Sequence, residues 1–428
     1  MVNTTGKNGY GKKNYPPDDV LKEYLLSYAL KRLTQTEKRN LLQKDLQLSI
    51  GLTKLNELEH RLDIPSVKRQ KKTKEELAQA VIDEVSKDIS QRNGPNYVKD
   101  VLRIKGIYVA SRDYVREIMR ENFPDSADKR FPGYKRQPVR RQALTALGPF
   151  HEIAGDGHEK IGALALQMEG LGLPIYGYRD KWSGKLLKLD VVPDCRSNGA
   201  IGHLFLDLVL ALGGISLQLN LDKGSEIGWQ VAFQTVLREQ FAANIALDEY
   251  PAVALLRSIH NIIIESLWRW LREKSGHNLR LIILYGKENG LIQPSVSYHR
   301  DLFYWIFVPL VQSELDDFRT YWNLRHVRSQ PQKSLPSNHV PDVAAEHPEM
   351  YGGIDCLVRI PSESVDSLRE LLNEEVGPKE KFQTFYTPEF GSYATEVHDS
   401  IGAPTITLSN VWVVFTQMAG VMETDKVY

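Results

Sequence analysis

The chain has 428 residues, 42% of them hydrophobic and 25% charged, and its formal net charge is zero. That length and balance suit two or three globular domains with a substantial core and argue against wholesale disorder. Two cysteines far apart, Cys195 and Cys356, argue against a disulfide framework or a cysteine-based zinc module. No apolar run is long enough to span a bilayer, and the polar opening is no secretion signal, so neither a membrane partner nor secretion is expected.

The neutrality hides a split. The first 150 residues carry 30 Lys and Arg against 19 Asp and Glu, and the rest of the chain reverses that surplus. A basic amino-terminal third on a neutral protein points to a polyanion met by that third.

Residues 1–17 read as a disordered tail ending at Pro16-Pro17. Residues 18–72 predict a first helix-turn-helix-like unit: leucine stripes at helical spacing, a tight turn at Ser49-Ile50-Gly51-Leu52, and a short helix from Thr53 to Leu62. Its basic tail, with Lys68, Arg69, Lys71 and Lys72, is a candidate phosphate contact. Residues 73–124 predict a second such unit. Thr73-Lys74-Glu75-Glu76 is a capping box, Pro95 starts the next helix, and Ser111 caps a third on which Arg112, Arg116 and Arg120 share one face. A short helix after a glycine turn with three arginines on one side has the form of a groove-reading helix. Residues 125–149 form a proline-interrupted basic linker in which Arg140 and Arg141 are placed to follow a phosphate backbone.

From residue 150 the pattern changes. A half-apolar run stops on Asp156, strands follow over residues 173–180 and 185–192, then an apolar helix over 199–212. A further strand ends at Asp222, a helix covers 227–241, and a last helix from about Ser258 carries Glu265, with Asn261 and Arg269 on the same side as the glutamate as candidate DNA contacts. Three strands, helix, strand, helix and a glutamate-bearing helix form an α/β layout of the ribonuclease-H-like kind, preceded by an all-helical region. Three acids brought to one point hold divalent metal, which suits phosphoryl transfer. Farther on, 282–285 reads as a strand, 298–322 as a long aromatic helix, and 331–428 as a linker and a small acidic unit with strands at 353–360 and 405–415.

Three words carry a family resemblance: Ala154-Gly155-Asp156-Gly157-His158-Glu159-Lys160, Leu221-Asp222-Lys223-Gly224-Ser225-Glu226 and Ser258-Ile259-His260-Asn261-Ile262-Ile263-Ile264-Glu265-Ser266-Leu267-Trp268. With the first two acids spaced 66 positions apart and the last two 43 apart, the chain resembles integrase-core proteins of the DDE integrase and transposase superfamily, in the form common in fungal and animal genomes. The resemblance implies a core over 150–330 that binds two Mg2+ or Mn2+ ions through Asp156, Asp222 and Glu265. It implies in-line attack on a DNA phosphodiester, one ion activating the nucleophile and the other steadying the leaving oxygen. It also implies DNA as partner, a homo-oligomer, no organic cofactor and a nuclear location (cytoplasmic in a prokaryote). The chain departs from the family at Ile263, where a basic residue is usual, and at Ser225-Glu226-Ile227, where Thr-Glu-Asn is frequent. Those departures keep open a catalytically silent DNA-binding protein on the same fold, beside a ribonuclease-H-type nuclease without strand transfer.

Overall fold

A computed structural model describes residues 15–123, 145–159, 161–162, 166, 168–256, 261–331 and 333–425. These fall into two compact units: the amino-terminal helices with Leu324–His326 in one, and residues 88–92 with everything described from 145 to 323 and 327 to 425 in the other.

The first unit is helical. It contains α1 (Asp18–Leu30), α2 (Gln35–Leu46), α3 (Leu52–Arg61), α4 (Lys74–Ser86), α5 (Pro95–Ile104) and α6 (Arg112–Asn122). Thr34 and Thr73 each close a capping box, so α2 and α4 begin where the sequence satisfies the orphan amides of a first turn. Helices α4 to α6 share a core of Val81, Val85, Val98, Leu102, Val115, Ile118 and Met119. Gly106 turns between α5 and α6 at a φ of 78°, a backbone region that side chains with a Cβ avoid.

The second unit is built on a five-stranded mixed sheet. Its strands are β1 (Glu152–His158), β2 (Ile175–Asp180), β3 (Leu186–Val191), β5 (Gln218–Asp222) and β6 (Val253–Leu256), in the order β3-β2-β1-β5-β6. β1 runs antiparallel to β2 and parallel to β5, so it joins an antiparallel meander to a parallel half. The intervening helices are α7 (Asn198–Leu212), α8 (Gly228–Phe241) and α9 (Ile262–Leu271). This α/β arrangement has the ribonuclease-H-like layout the sequence led us to expect. β6 had no counterpart in the sequence reading.

Both faces of the sheet are covered. Ile153, Tyr176, Tyr178, Leu219 and Leu221 pack with Ile201, Leu204 and Phe205 of α7 and with Phe233 and Leu237 of α8. Ala154, Ile175 and Leu189 pack on the opposite side with Ile264, Leu267, Trp268 and Leu271 of α9. Because side chains alternate along a strand, Asp156 shares a face with Ala154, and Asp222 lies on the face opposite Leu219 and Leu221. Both aspartates therefore point to the side on which α9 lies.

Beyond α9 the elements differ from those expected. The stretch 282–285 is not a strand; it lies inside α10 (His277–Glu288), which continues α9 through a π-helical turn over Arg272–Gly276. The long aromatic helix is present as α11 (Ser297–Leu324). After α12 (Pro341–Glu346), residues 353–360 supply only β7 (Val358–Arg359), paired with β4 (Gly214–Ile215). Helices α13 (Ser362–Val376), α14 (Lys379–Gln383) and α15 (Pro388–Ser400) follow, and the supposed strand at 405–415 leads instead into α16 (Val411–Asp425). Nor is the carboxyl end a small separate unit: Phe390, Val411, Phe415 and Met418 belong to the same apolar cluster as Phe303 and Phe307 of α11. The Trp412 indole donates to the carbonyl of Ile282, beside Gly286, where a Cβ would lie 2.0 Å from the ring.

Candidate functional site

The site is set by the parallel pairing of β1 with β5. The two strands pair through Gly155 and Leu221, so Asp156 and Asp222 each stand one residue beyond that pair, at neighbouring carboxyl ends of the sheet. Carboxyl ends of parallel strands are where open α/β sheets place ligands.

Helix α9 meets both aspartates. Asn261, its N-cap, leaves the first-turn amides without a side-chain cap. Instead its Nδ2 donates to Asp222 Oδ1 at 3.0 Å and to the Gly155 carbonyl at 3.4 Å. Seven residues on, the Trp268 Nε1–H donates to Asp156 Oδ2 at 2.8 Å. Asp156 Oδ1 accepts from the Gly157 amide at 2.8 Å. Glu265 lies four residues after Asn261 and three before Trp268, on the helix face that carries both donors. It sits in the first helical turn, where a carboxylate also meets the positive end of the helix dipole, and it is exposed.

Electrostatics ties the three acids together. Burial pushes the Asp156 carboxyl up to about 7, and the charges of Asp222 and Glu265 push in the same direction against the hydrogen bonds from Trp268 and Gly157. The charged neighbours that act on Asp156 are thus of its own sign. In kind the residues fit a hard divalent cation: the donors are carboxylate oxygens, and each Asp156 oxygen that accepts one hydrogen bond keeps a second lone pair. In spacing the set is open: among the described residues no group of three His, Cys, Asp or Glu side chains stands at metal-holding distance.

A half-buried guanidinium fixes where α9 lies. Arg179 on β2 donates through one nitrogen to the Ile263 carbonyl and to Ser266 Oγ, each at 2.7 Å, and through Nε to the Gly184 carbonyl. It also stacks over the Trp322 ring at 4.8 Å. The helix is thereby tied to the sheet on either side of Glu265, through the Ile263 carbonyl before it and the Ser266 hydroxyl after it. Neither Arg179 nor Trp268 is among the candidate site residues expected from the sequence. The signal for Trp268 was its N–H on a helix turn next to a candidate acid.

The residues expected to meet DNA are differently placed. Arg112 and Arg120 are exposed on α6, while Arg116 pairs with Asp113 at 2.9 Å. Lys68 and Lys72 are exposed, whereas Lys71 pairs with Asp63 and Arg69 turns inward to the Ile64 carbonyl and Glu59. Arg269 is exposed on α9. Asn261 is not a surface residue: it is 2% exposed and its amide is held by Asp222, which corrects its assignment as a DNA contact. Arg140 and Arg141 lie outside the described residues.

No curated protein matches the chain. Residues 172–341, a stretch that holds Asp222 and Glu265 and starts beyond Asp156, match the family model of the integrase core domain.

Proposed function

We propose that the protein cuts and joins DNA as a polynucleotidyl transferase. The observation that carries this reading is the meeting of Asp156, Asp222 and the Glu265 helix at the carboxyl ends of β1 and β5. Asp156, Asp222 and Glu265 would hold Mg2+ or Mn2+, whose chemistry is to neutralise phosphate charge and to activate an attacking hydroxyl. Trp268 and Asn261 orient the two aspartates, and Arg179 holds the glutamate's helix against the sheet. The exposed Arg112, Arg120, Lys68, Lys72 and Arg269 supply phosphate contacts. A nuclear site of action and a homo-oligomer accompany that reading, and no helix among the described residues is long and apolar enough to cross a membrane.

The test is Mn2+ binding followed by strand transfer. Wild-type protein is expected to bind Mn2+ and to join a donor DNA end to a target, with Asp222→Asn losing both. Equal Mn2+ binding by wild type and variant removes the enzymatic reading. Cleavage without joined products leaves only a nuclease.

The open spacing of the acids and the exposure of Glu265 favour a second reading, a catalytically silent DNA-binding protein. Both readings share one expectation, that DNA affinity falls steeply with salt. Log affinity against log salt should slope by about −0.9 for each phosphate neutralised, and removing Arg112 and Arg120 together should flatten it by about two such contacts. A salt-independent affinity excludes phosphate contact as the source of binding.

A further inference from the structure

We propose that Trp268 is a positioning residue of the acid site: its indole N–H sets the Asp156 carboxylate in the orientation that receives a divalent cation. The inference rests on the metal-dependent reading above and extends it to a residue outside the acid triad.

The indole is held on several sides. Its ring stacks on His158 at a centroid distance of 4.7 Å and an interplanar angle of 13°. It also lies over Gly177, the residue paired with Asp156 across β1 and β2, where an added Cβ would come within 3.0 Å of the ring. Any larger residue at 177 would crowd the indole. Trp268 is 4% exposed, so its N–H has been taken out of water, and a buried indole N–H needs an acceptor. Asp156 Oδ2 is that acceptor.

Trp268 works beside Asn261. The two residues lie two helical turns apart and address one aspartate each, Trp268 on Asp156 and Asn261 on Asp222. An N-cap asparagine ordinarily accepts from a first-turn amide, a bond that stabilises helices by about 1 kcal/mol in general. Here the side chain makes no such bond and donates to Asp222 instead. A helix whose cap residue and whose buried tryptophan both donate to the acids of the neighbouring strands acts as a template for those acids. Hydrogen-bond partners behind a metal ligand fix its orientation, and losing one weakens metal affinity by about 10–100-fold.

The experiment measures Mn2+ binding to the full chain by the electron paramagnetic resonance signal of free Mn2+, for wild type, Asp222→Asn and Trp268→Phe. Phenylalanine keeps an aromatic side chain at this position and removes the donor, though it is too short to reach Gly177 as the indole Cη2 does. Trp268→Phe is expected to keep the wild-type circular dichroism and to bind Mn2+ about 10–100-fold more weakly. A variant that binds as tightly as wild type, or more tightly, overturns the proposal while Asp222→Asn still reports on the metal reading. Wild type that binds no Mn2+ overturns both. Should the phenylalanine variant fail to fold, benzothienylalanine at position 268 replaces only the N–H by sulfur. The same weakening is then expected, and unchanged binding refutes the proposal.

Discussion

Asp156→Asn is expected to make the metal-free protein more stable at pH 8 while abolishing its response to Mn2+. The sign follows from the carboxyl held at about 7 in the folded protein against an ordinary value of 3.8. Below pH 4 both folded and unfolded chains carry the proton. As pH rises from about 4 to about 7 the unfolded chain releases it first, so the folded state loses stability across that window and the loss is complete above it. The interval corresponds to roughly 4 kcal/mol, an upper figure for a half-buried acid. An asparagine avoids the charge but cannot accept from both Trp268 and Gly157, so a net gain of about 1–3 kcal/mol is expected. Urea unfolding of wild type and variant at pH 4 and pH 8 measures it. Wild type should lose stability between those values and regain it with Mn2+, and the variant should do neither. A wild-type stability that does not fall relative to the variant across the window contradicts an uncompensated acid at this position.

Arg179→Met should cost about 1.5–3 kcal/mol, the range for hydrogen bonds made by a charged group. Methionine fills much of the stem volume, so the loss isolates the guanidinium. The Ile263 and Gly184 carbonyls would lose a donor, and Trp322 would lose a stacked partner. The next residue, Asp180, is 0% exposed and accepts from the Phe150 and Ser183 amides and from Ser183 Oγ, and it would lose its neighbouring positive charge. Chemical denaturation gives the stability, and hydrogen exchange gives the location: amides of α9 should exchange faster while those of α7 change less. A loss under about 1 kcal/mol, or uniform exchange across both helices, would show that Arg179 does not anchor the glutamate's helix.

The strands bearing the two aspartates were legible because each is an apolar run that ends on an acid, and a run buried on both faces carries that signal in its composition. The phase of α9 was not. Ile262, Ile263, Ile264, Leu267, Trp268, Trp270 and Leu271 are apolar nearly all round the helix, so periodicity alone does not say which side is inward. Counting from Ile259 places Trp270 inside, yet Trp270 is 38% exposed and Trp268 is the buried one. Trp268 shares the Glu265 side of the helix in sequence, but which strand residue that side meets is a tertiary fact, so the contact with Asp156 stayed hidden. β6 escaped because four residues at a sheet edge, paired only to β5, give too short a pattern. The 405–415 stretch misled for a related reason: its β-branched residues favour strands locally, but α16 is fixed by burial of Trp412, Phe415 and Met418.

The central position of β1 has a consequence for any dissection of the molecule. A fragment cut to begin at residue 172 would keep β2 with β3 and β5 with β6 but discard the strand that separates and joins them. Two orphaned hairpin-sized ribbons with raw hydrogen-bonding rims would remain, each inviting association with other chains. The recognisable portion of the sequence and the smallest autonomous folding piece are therefore different objects, and recombinant work should begin upstream of Glu152.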